Sequence, residues 1–324
     1  MPRAIRIHEA GGPEVMRLEE VEVGAPAAGQ VQVLHTAIGL NFIDVYDRTG
    51  LYPQTLPAGL GREAAGIVSA VGKGVRGLRA GDRVAYVMSP PGTYADLRNV
   101  PAARVVKIPA GVSEEQAAVL ALKGMTACFL LRHCFRVERG DVIVVHAAAG
   151  GVGSLLAQWG KMLGALVVGV VGSEEKAKLA KKNGCKYVLV RGRDEIAASV
   201  KKISKGLGAH VVYDGVGKDT FIESLDSLRK RGMMVLFGSA SGPVPPFSPG
   251  ELVKRGSLFL TRPTMFDYTE SREDLEAIAR ETFTAAKKGW IKVQINQRYK
   301  LADAAQAHRD LEARKTTGAS VIVP

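Results

Sequence analysis

The chain has 324 residues, too many for one ordinary domain and suited to two. It is 46% hydrophobic, with 37 glycines and a formal net charge of +12, which excludes disordered and fibrous classes and fits a loop-rich α/β protein. No run of about 18 apolar residues reads as a membrane span. Met1–Ile7 enters a strand pattern without a secretory apolar core, and Cys128, Cys134 and Cys185 form no disulfide framework, so they read as reduced cytosolic thiols.

Residues 1 to 122 read as mostly β. Arg3–His8, Val15–Val23 and Val31–Ile38 alternate or run β-branched between Gly and Pro clusters. Val-rich pieces follow at 65–72 and 81–87. Many short strands with tight turns predict a partly open β-barrel. Ser113 and Gln116 form a capping box that starts a helix over Glu114–Leu122, and helical pattern continues to Arg132. Arg139-Gly140-Asp141 reads as a turn.

From Asp141 strands and helices alternate. Strands are expected at Val142–His146, Leu166–Val171, Tyr187–Val190, His210–Tyr213, Met233–Phe237 and Leu258–Thr261. Helices are expected at Val152–Leu163, Glu174–Asn183, Asp194–Lys205, Asp219–Lys230 and Pro249–Arg255. That alternation predicts a doubly wound parallel sheet. Helices near Ser271–Lys288 and Ala302–Ala313 follow, with strands near Ile291–Tyr299 and Ala319–Val323. The expected organisation is a nucleotide-binding domain at 123–266 inserted in a domain made of 1–122 and 267–324, with the ligand in a cleft between them.

The stretch from Asp141 to Ala157 carries the chemistry. An apolar β-branched strand runs into Ala147, Ala148, Ala149 and Gly150, then Gly151 and Gly153 open a helix. This is G-x-G-x-x-G with Ala148 at the first glycine, in the strand–turn–helix context of a phosphate site. Unpaired N–H groups and the helix dipole favour a pyrophosphate there. The bland alternative is a glycine turn at any strand–helix junction. Lysines and arginines gather between Lys176 and Lys205 and at Arg229-Lys230-Arg231. They read as solvated helix faces, as attraction for a phosphate-bearing ligand, or as a nucleic-acid footprint. No aromatic-interleaved basic motif accompanies them.

Several motifs occur together: Asn41-Phe-Ile-Asp44, Gly50-Leu-Tyr52-Pro, Gly61-Arg62-Glu63-Ala-Ala-Gly66, Gly81-Asp-Arg-Val84, Leu122-Lys123-Gly-Met-Thr126, Ala147–Gly153, Phe237–Gly242 and Tyr299–His308. Over the whole chain this order and spacing resembles the quinone oxidoreductases of the zeta-crystallin group, zinc-free members of the medium-chain dehydrogenase/reductase superfamily. The resemblance implies a GroES-like barrel domain beside the Rossmann domain, NADPH as reductant, and quinones or similar conjugated carbonyls as acceptors. It also implies a homodimer or homotetramer in the cytoplasm without a membrane.

Zinc-dependent superfamily members carry cysteine near the position of Asn41 and Gly-His-Glu near Gly61. An amide and the Arg62 guanidinium are not zinc ligands, and no cluster of cysteines stands at 85–100, so no metal is expected. An NAD-preferring turn places an acid about 20 residues after the glycines. Here Gly172-Ser173 stands at that strand end, with Glu174 read as a first-turn helix residue. Lys176 and Arg191 suit a 2′-phosphate; the alternative is that Arg191 and Arg193 are solvated loop charges.

By similarity, Asn41, Tyr52, Lys123 and Thr126 fall at the nicotinamide end, and Ala149, Gly150, Gly151 and Val152 at the pyrophosphate. Gly172, Ser173, Lys176 and Arg191 fall at the adenosine ribose. Val216, Leu236, Phe237, Gly238 and Ser239 line the far side, and Arg314 and Thr317 are further candidates. Hydride transfer leaves negative charge on the acceptor oxygen, which calls for hydrogen-bond donors. The candidates are Asn41, Tyr46 and Tyr52, expected on one loop, although both tyrosines also read as structural aromatics. Arg62 is expected to orient the site or to pair with Glu63 or Asp44. The rival readings are a 2-alkenal or enoyl-thioester reductase of the same fold, and an RNA- or nucleotide-binding protein in which catalysis is secondary. A dimer is expected to pair through an exposed edge strand near Leu258–Thr261.

Overall fold

Period-two alternation builds the first strands: Ile5, Ile7, Val31 and Val33 turn inward and are almost fully buried. The computed structural model describes residues 1–324, which divide into two units. The first comprises Met1–Met125, Ser271–Lys287 and Val293–Pro324; the second comprises Thr126–Glu270 and Lys288–Lys292.

The first unit opens with β1 (Arg3–Ile7), β2 (Arg17–Glu20), β3 (Gln30–Leu40), α1 (Phe42–Thr49), β4 (Ala58–Gly59), β5 (Glu63–Val71), β6 (Arg83–Val87), β7 (Leu97–Pro101), β8 (Val105–Lys107) and α2 (Glu114–Val119). The second unit runs through α3 (Met125–Phe129), β9 (Val142–His146), α4 (Gly151–Met162), β10 (Leu166–Val171), α5 (Glu174–Lys182), β11 (Tyr187–Val190) and α6 (Ile196–Ile203). It continues through β12 (Ala209–Asp214), α7 (Phe221–Asp226), β13 (Leu228–Leu236), α8 (Gly250–Lys254), β14 (Phe259–Thr261) and α9 (Met265–Tyr268). The chain returns to the first unit with α10 (Arg272–Lys287), β15 (Ile295–Lys300), α11 (Ala304–Glu312) and β16 (Ala319–Val323).

In the first unit β15-β16-β3-β5-β6-β8 form one sheet, with β7 also paired to β3, and β2-β1-β4 form a second. The C-terminal strand closes this unit: β16 lies antiparallel to β3, with Val321 opposite Gly39. Its core gathers Ile7, Val33, Ile38, Val68, Val84 and Tyr86 with Ala304 and Ile322 from the returning segment.

In the second unit all strand pairs are parallel, in the order β11-β10-β9-β12-β13-β14. Numbered from β9, this is the doubly wound order 3-2-1-4-5-6, whose ligand crevice lies past the carboxyl ends of the strands near the switch of direction. Strands buried on both faces read as Val-rich runs, and Val144, Val168, Val170 and Val212 fill this core.

Four expectations change. The strand expected over Val15–Val23 shrinks to Arg17–Glu20, because Pro13 starts a 3-10 turn through Val15. Residues 42–49, expected as loop, form α1: Asn41 is the N-cap, Asp44 sits at the third helical position, and Gly50 ends the helix at φ 78°. The helix expected over Asp219–Lys230 stops at Asp226, since buried Leu228 pairs with Ala209 and begins β13. The strand expected from Ile291 begins at Ile295, after Lys288–Lys292 has packed with the second unit. Helical structure over Glu114–Cys134 is long and apolar enough to cross a bilayer, but 78% of its most apolar window is buried inside the protein.

Candidate active site

Glu63 is a carboxylate in an otherwise apolar strand, and burial raises its pKa although Lys123, Asn41 and the Leu122 N–H pull it down. Its Oε1 accepts from Lys123 Nζ at 2.6 Å and from Asn41 Nδ2 at 2.9 Å, and its Oε2 accepts from the Leu122 N–H at 2.6 Å. Room for it comes from Gly39 on the neighbouring strand. A Cβ there would stand 1.9 Å from Glu63 Oε1. Lys123 lies in a wide π turn, Leu120–Gly124, the kind of helix irregularity that re-aims a side chain. The structure thus joins Asn41 and Lys123 through an acid that the expected site did not include.

Asp44 is fully buried. Its Oδ2 accepts from the Asn41 N–H and from Tyr94 Oη, each at 2.9 Å, while Oδ1 has no partner. Burial and the nearby Asp47 push its carboxyl up to about 7. Tyr94 Oη also meets His308 Nε2 at 3.1 Å, and Arg48 donates to His308 Nδ1 at 3.2 Å. Burial and Arg48 hold His308 down at about 3, so it is neutral. Since Arg48 can only donate, Nδ1 accepts and Nε2 carries the hydrogen. Arg48 grips Glu312 through both carboxylate oxygens at 2.7 and 2.9 Å.

Arg62 pairs with neither expected partner. It makes a bidentate pair with buried Asp47 at 2.6 and 2.8 Å. Successive residues of an extended chain face opposite ways, so Arg62 reaches α1 while Glu63 turns toward Lys123. Tyr46 is not on a loop; it lies in α1, 7% exposed, with the Tyr52 ring edge-on at 5.4 Å. The two tyrosine rings pack on each other. Thr317 Oγ1 accepts from Asn296 Nδ2 at 3.0 Å, and Arg314 adopts φ 59° in the exposed turn before β16. Zinc does not fit here: the positions offer an amide, a guanidinium already paired to Asp47, and a carboxylate already bonded to three donors.

In the second unit strand order arranges the expected contacts along one sheet edge. Arg191 follows β11, Gly172 and Ser173 follow β10, and Ala149–Val152 follow β9. Val216 follows β12, and Leu236–Ser239 end β13 and continue past it. At the glycine turn the Gly150 N–H donates to the Ala147 carbonyl at 2.8 Å, and α4 starts with first-turn N–H groups that lack helical acceptors. Gly153 lets the helix approach the strand end, since a Cβ would lie 2.3 Å from the Ala147 oxygen. Nothing lies within 4 Å of a Cβ built on Gly172, so the turn after β10 is open. These features fit a dinucleotide pyrophosphate and ribose. Thr126 Oγ1 approaches Met265 Sδ at 3.8 Å, within the same unit.

Ser173 caps α5, its Oγ accepting from the Lys176 N–H at 3.3 Å. Glu174 is the first residue of α5 and bonds Arg193, which also pairs with Asp194. Arg191 donates to the Asp219 carbonyl at 3.0 Å. Asp214 anchors the next turn by accepting from the Val216 and Gly217 N–H groups and from the Thr220 and Ser224 hydroxyls.

Sequence reasoning missed Asp47, Tyr94 and His308, named Glu63 and Asp44 only as partners for Arg62, and weighed Arg193 only as a loop charge. A charge at the head of the apolar Ala-Ala-Gly-Ile-Val run marks Glu63, and the capping spacing from Asn41 marks Asp44. Nothing in the sequence ties Tyr94 to His308, which are 214 positions apart.

Residues 27–110 match the alcohol dehydrogenase GroES-like domain family, and residues 151–281 match the zinc-binding dehydrogenase family. The chain is 47% identical to a quinone oxidoreductase of Salmonella typhimurium, with 100% of both chains covered. It is 41% identical to a 2-haloacrylate reductase of a Burkholderia species, covering 100% of this chain and 99% of that one. The solved structure of Escherichia coli quinone oxidoreductase complexed with NADPH superposes with a TM-score of 0.97 at 45% identity, covering 99% of this chain and 100% of that one.

Proposed function

Because the chain belongs to the quinone oxidoreductase family of the medium-chain dehydrogenases, we propose that it reduces quinones with NADPH, without a metal, in the cytoplasm and as a homodimer. The observation that supports the cofactor choice is the ion pair of Arg193 with Glu174, the nearest acid to the expected ribose position. With Glu174 engaged, Ser173, Lys176 and Arg191 leave that strand end favourable to a 2′-phosphate.

NADPH when bound supplies the hydride. The first-turn N–H groups of α4, with the small residues Ala149, Gly150, Gly151 and Val152, hold the pyrophosphate. Gly172, Ser173, Lys176 and Arg191 hold the phosphorylated ribose, and Val216 and Leu236–Ser239 line the nicotinamide half. Thr126, Arg314 and Thr317 add weaker contacts. Glu63 positions Asn41 and Lys123, and it engages one of the three Lys123 hydrogens. The remaining donors, with Tyr52, orient the nicotinamide amide and stabilise the charge that appears on the acceptor oxygen. Arg62 is a positioning residue that fixes α1 through Asp47. An electrophilic quinone needs no Lewis acid, and no residue is assigned strict acid–base work.

A second reading, reduction of conjugated acids or enones, is favoured by the 2-haloacrylate reductase relative. Steady-state oxidation of NADPH with 1,4-benzoquinone, crotonyl thioester and 2-chloroacrylate separates the two. Quinone turnover with the highest kcat/KM is expected; a clear preference for either acrylic substrate would replace the first reading by the second.

A further inference from the structure

A groove of about 760 Å³ lies wholly within the first unit, between one face of α10 and the turns after β5, β7 and β8. Its floor is apolar: Val75, Leu78, Ala102, Val106, Ala279 and Phe283. Its rim is basic. Arg272, Glu276, Arg280 and Lys287 project from α10 at spacings that place them on one helix face, and Arg76 from the turn after β5 and Lys107 from the end of β8 line the same groove.

The rim charges do not balance. Arg272 is paired with Glu276, and Lys107 with Asp82 at 2.9 Å. Arg76, Arg280 and Lys287 have no acidic partner, which leaves three uncompensated cations over an apolar floor.

The geometry points to a binding site for a single-chain amphiphile with a multiply charged anionic head, an alkyl phosphate being the simplest member of the class. The chain lies along Leu78, Ala279 and Phe283, and Arg76, Arg280 and Lys287 grip the head. Two guanidinium forks suit a tetrahedral dianion better than a single carboxylate. A soluble amphiphile and a lipid in a membrane surface share this head chemistry; the concave floor between α10 and the barrel turns favours the single molecule. This site uses none of the residues assigned to hydride transfer.

The test uses the full chain saturated with NADPH. Calorimetry with dodecyl phosphate below its micellar concentration is expected to show saturable binding of one molecule per chain and a raised melting temperature. Dodecanol and inorganic phosphate are each expected to bind at least about tenfold more weakly. The double variant Arg76→Glu/Arg280→Glu, and separately Thr284→Trp, which fills the groove, are expected to weaken dodecyl phosphate about tenfold or more and to leave NADPH binding unchanged. The proposal is overturned if phosphate alone binds as well as dodecyl phosphate, or if neither variant weakens binding. It is also overturned if only phosphatidylglycerol vesicles, and no dissolved amphiphile, are bound.

Discussion

Glu63 has no solvent exposure and three donors on its carboxylate, so its charge is held by geometry rather than by water. Glu63→Gln preserves shape but gives one of those donors a competing NH₂ group. Steady-state kinetics are expected to show kcat lowered about tenfold or more, while NADPH affinity measured by fluorescence changes less than about twofold. Equal losses in both would make Glu63 a general stability residue. Asp44 predicts a pH effect. Its carboxyl stands at about 7 folded against 3.8 ordinarily, so the folded protein binds the proton more tightly. The stability it contributes is fully present below about pH 4 and is lost as pH rises through about 7. Asp44→Asn cannot titrate. The melting-temperature difference between Asp44→Asn and the parent is expected to move in the variant's favour from pH 5 to pH 8, and neutral His308, common to both, cancels. A difference that stays flat with pH would contradict the raised pKa. At the cofactor end, Arg193→Ala removes the partner of Glu174. Fluorescence titration is expected to show NADPH weakened roughly fivefold and NADH nearly unchanged.

Elements differ in how far their sequence announced them. β9, β10, β11 and β16 have the expected bounds, because β-branched runs bracketed by turns leave little choice. α1 was hidden. Its residues Phe-Ile-Asp-Val-Tyr-Asp-Arg-Thr combine poor helix formers, and only the cap at Asn41 and the left-handed Gly50 identify it. The strand–turn–helix units of the parallel sheet were therefore legible, since they depend on local pattern. The buried ion pairs were not, since Arg48–Glu312 and Lys123–Glu63 depend on how distant elements meet. Gly39 tests the link between element and site. Gly39→Ala must displace Glu63 from β3, and turnover is expected to fall more than NADPH affinity. The edge strand β14 makes a prediction about assembly. It ends the parallel sheet, and Phe259 on it is 57% exposed, an arrangement that favours pairing with a second copy. Light scattering is expected to give roughly twice the 34.5 kDa chain mass, and Phe259→Glu to shift it toward the monomer. Only single chains, confirmed by cross-linking, would rule the dimer out.

The parallel sheet order places the glycine turn, the Ser173 turn and the Arg191 turn on one edge, as a dinucleotide requires. The full-length relatives are quinone oxidoreductases, and one superposed structure is complexed with NADPH. The net charge of +12 adds long-range attraction for an anionic cofactor. The most direct measurement is a fluorescence titration of the purified protein with NADPH and with NADH, repeated on the Lys176→Ala/Arg191→Ala variant. 1,4-Benzoquinone is then added while absorbance of the reduced nicotinamide is followed. The account predicts tight NADPH binding, rapid oxidation on adding the quinone, and a variant that loses NADPH at least about tenfold more than NADH. Preference for NADH, or NADPH that stays reduced in the presence of the quinone, would contradict it.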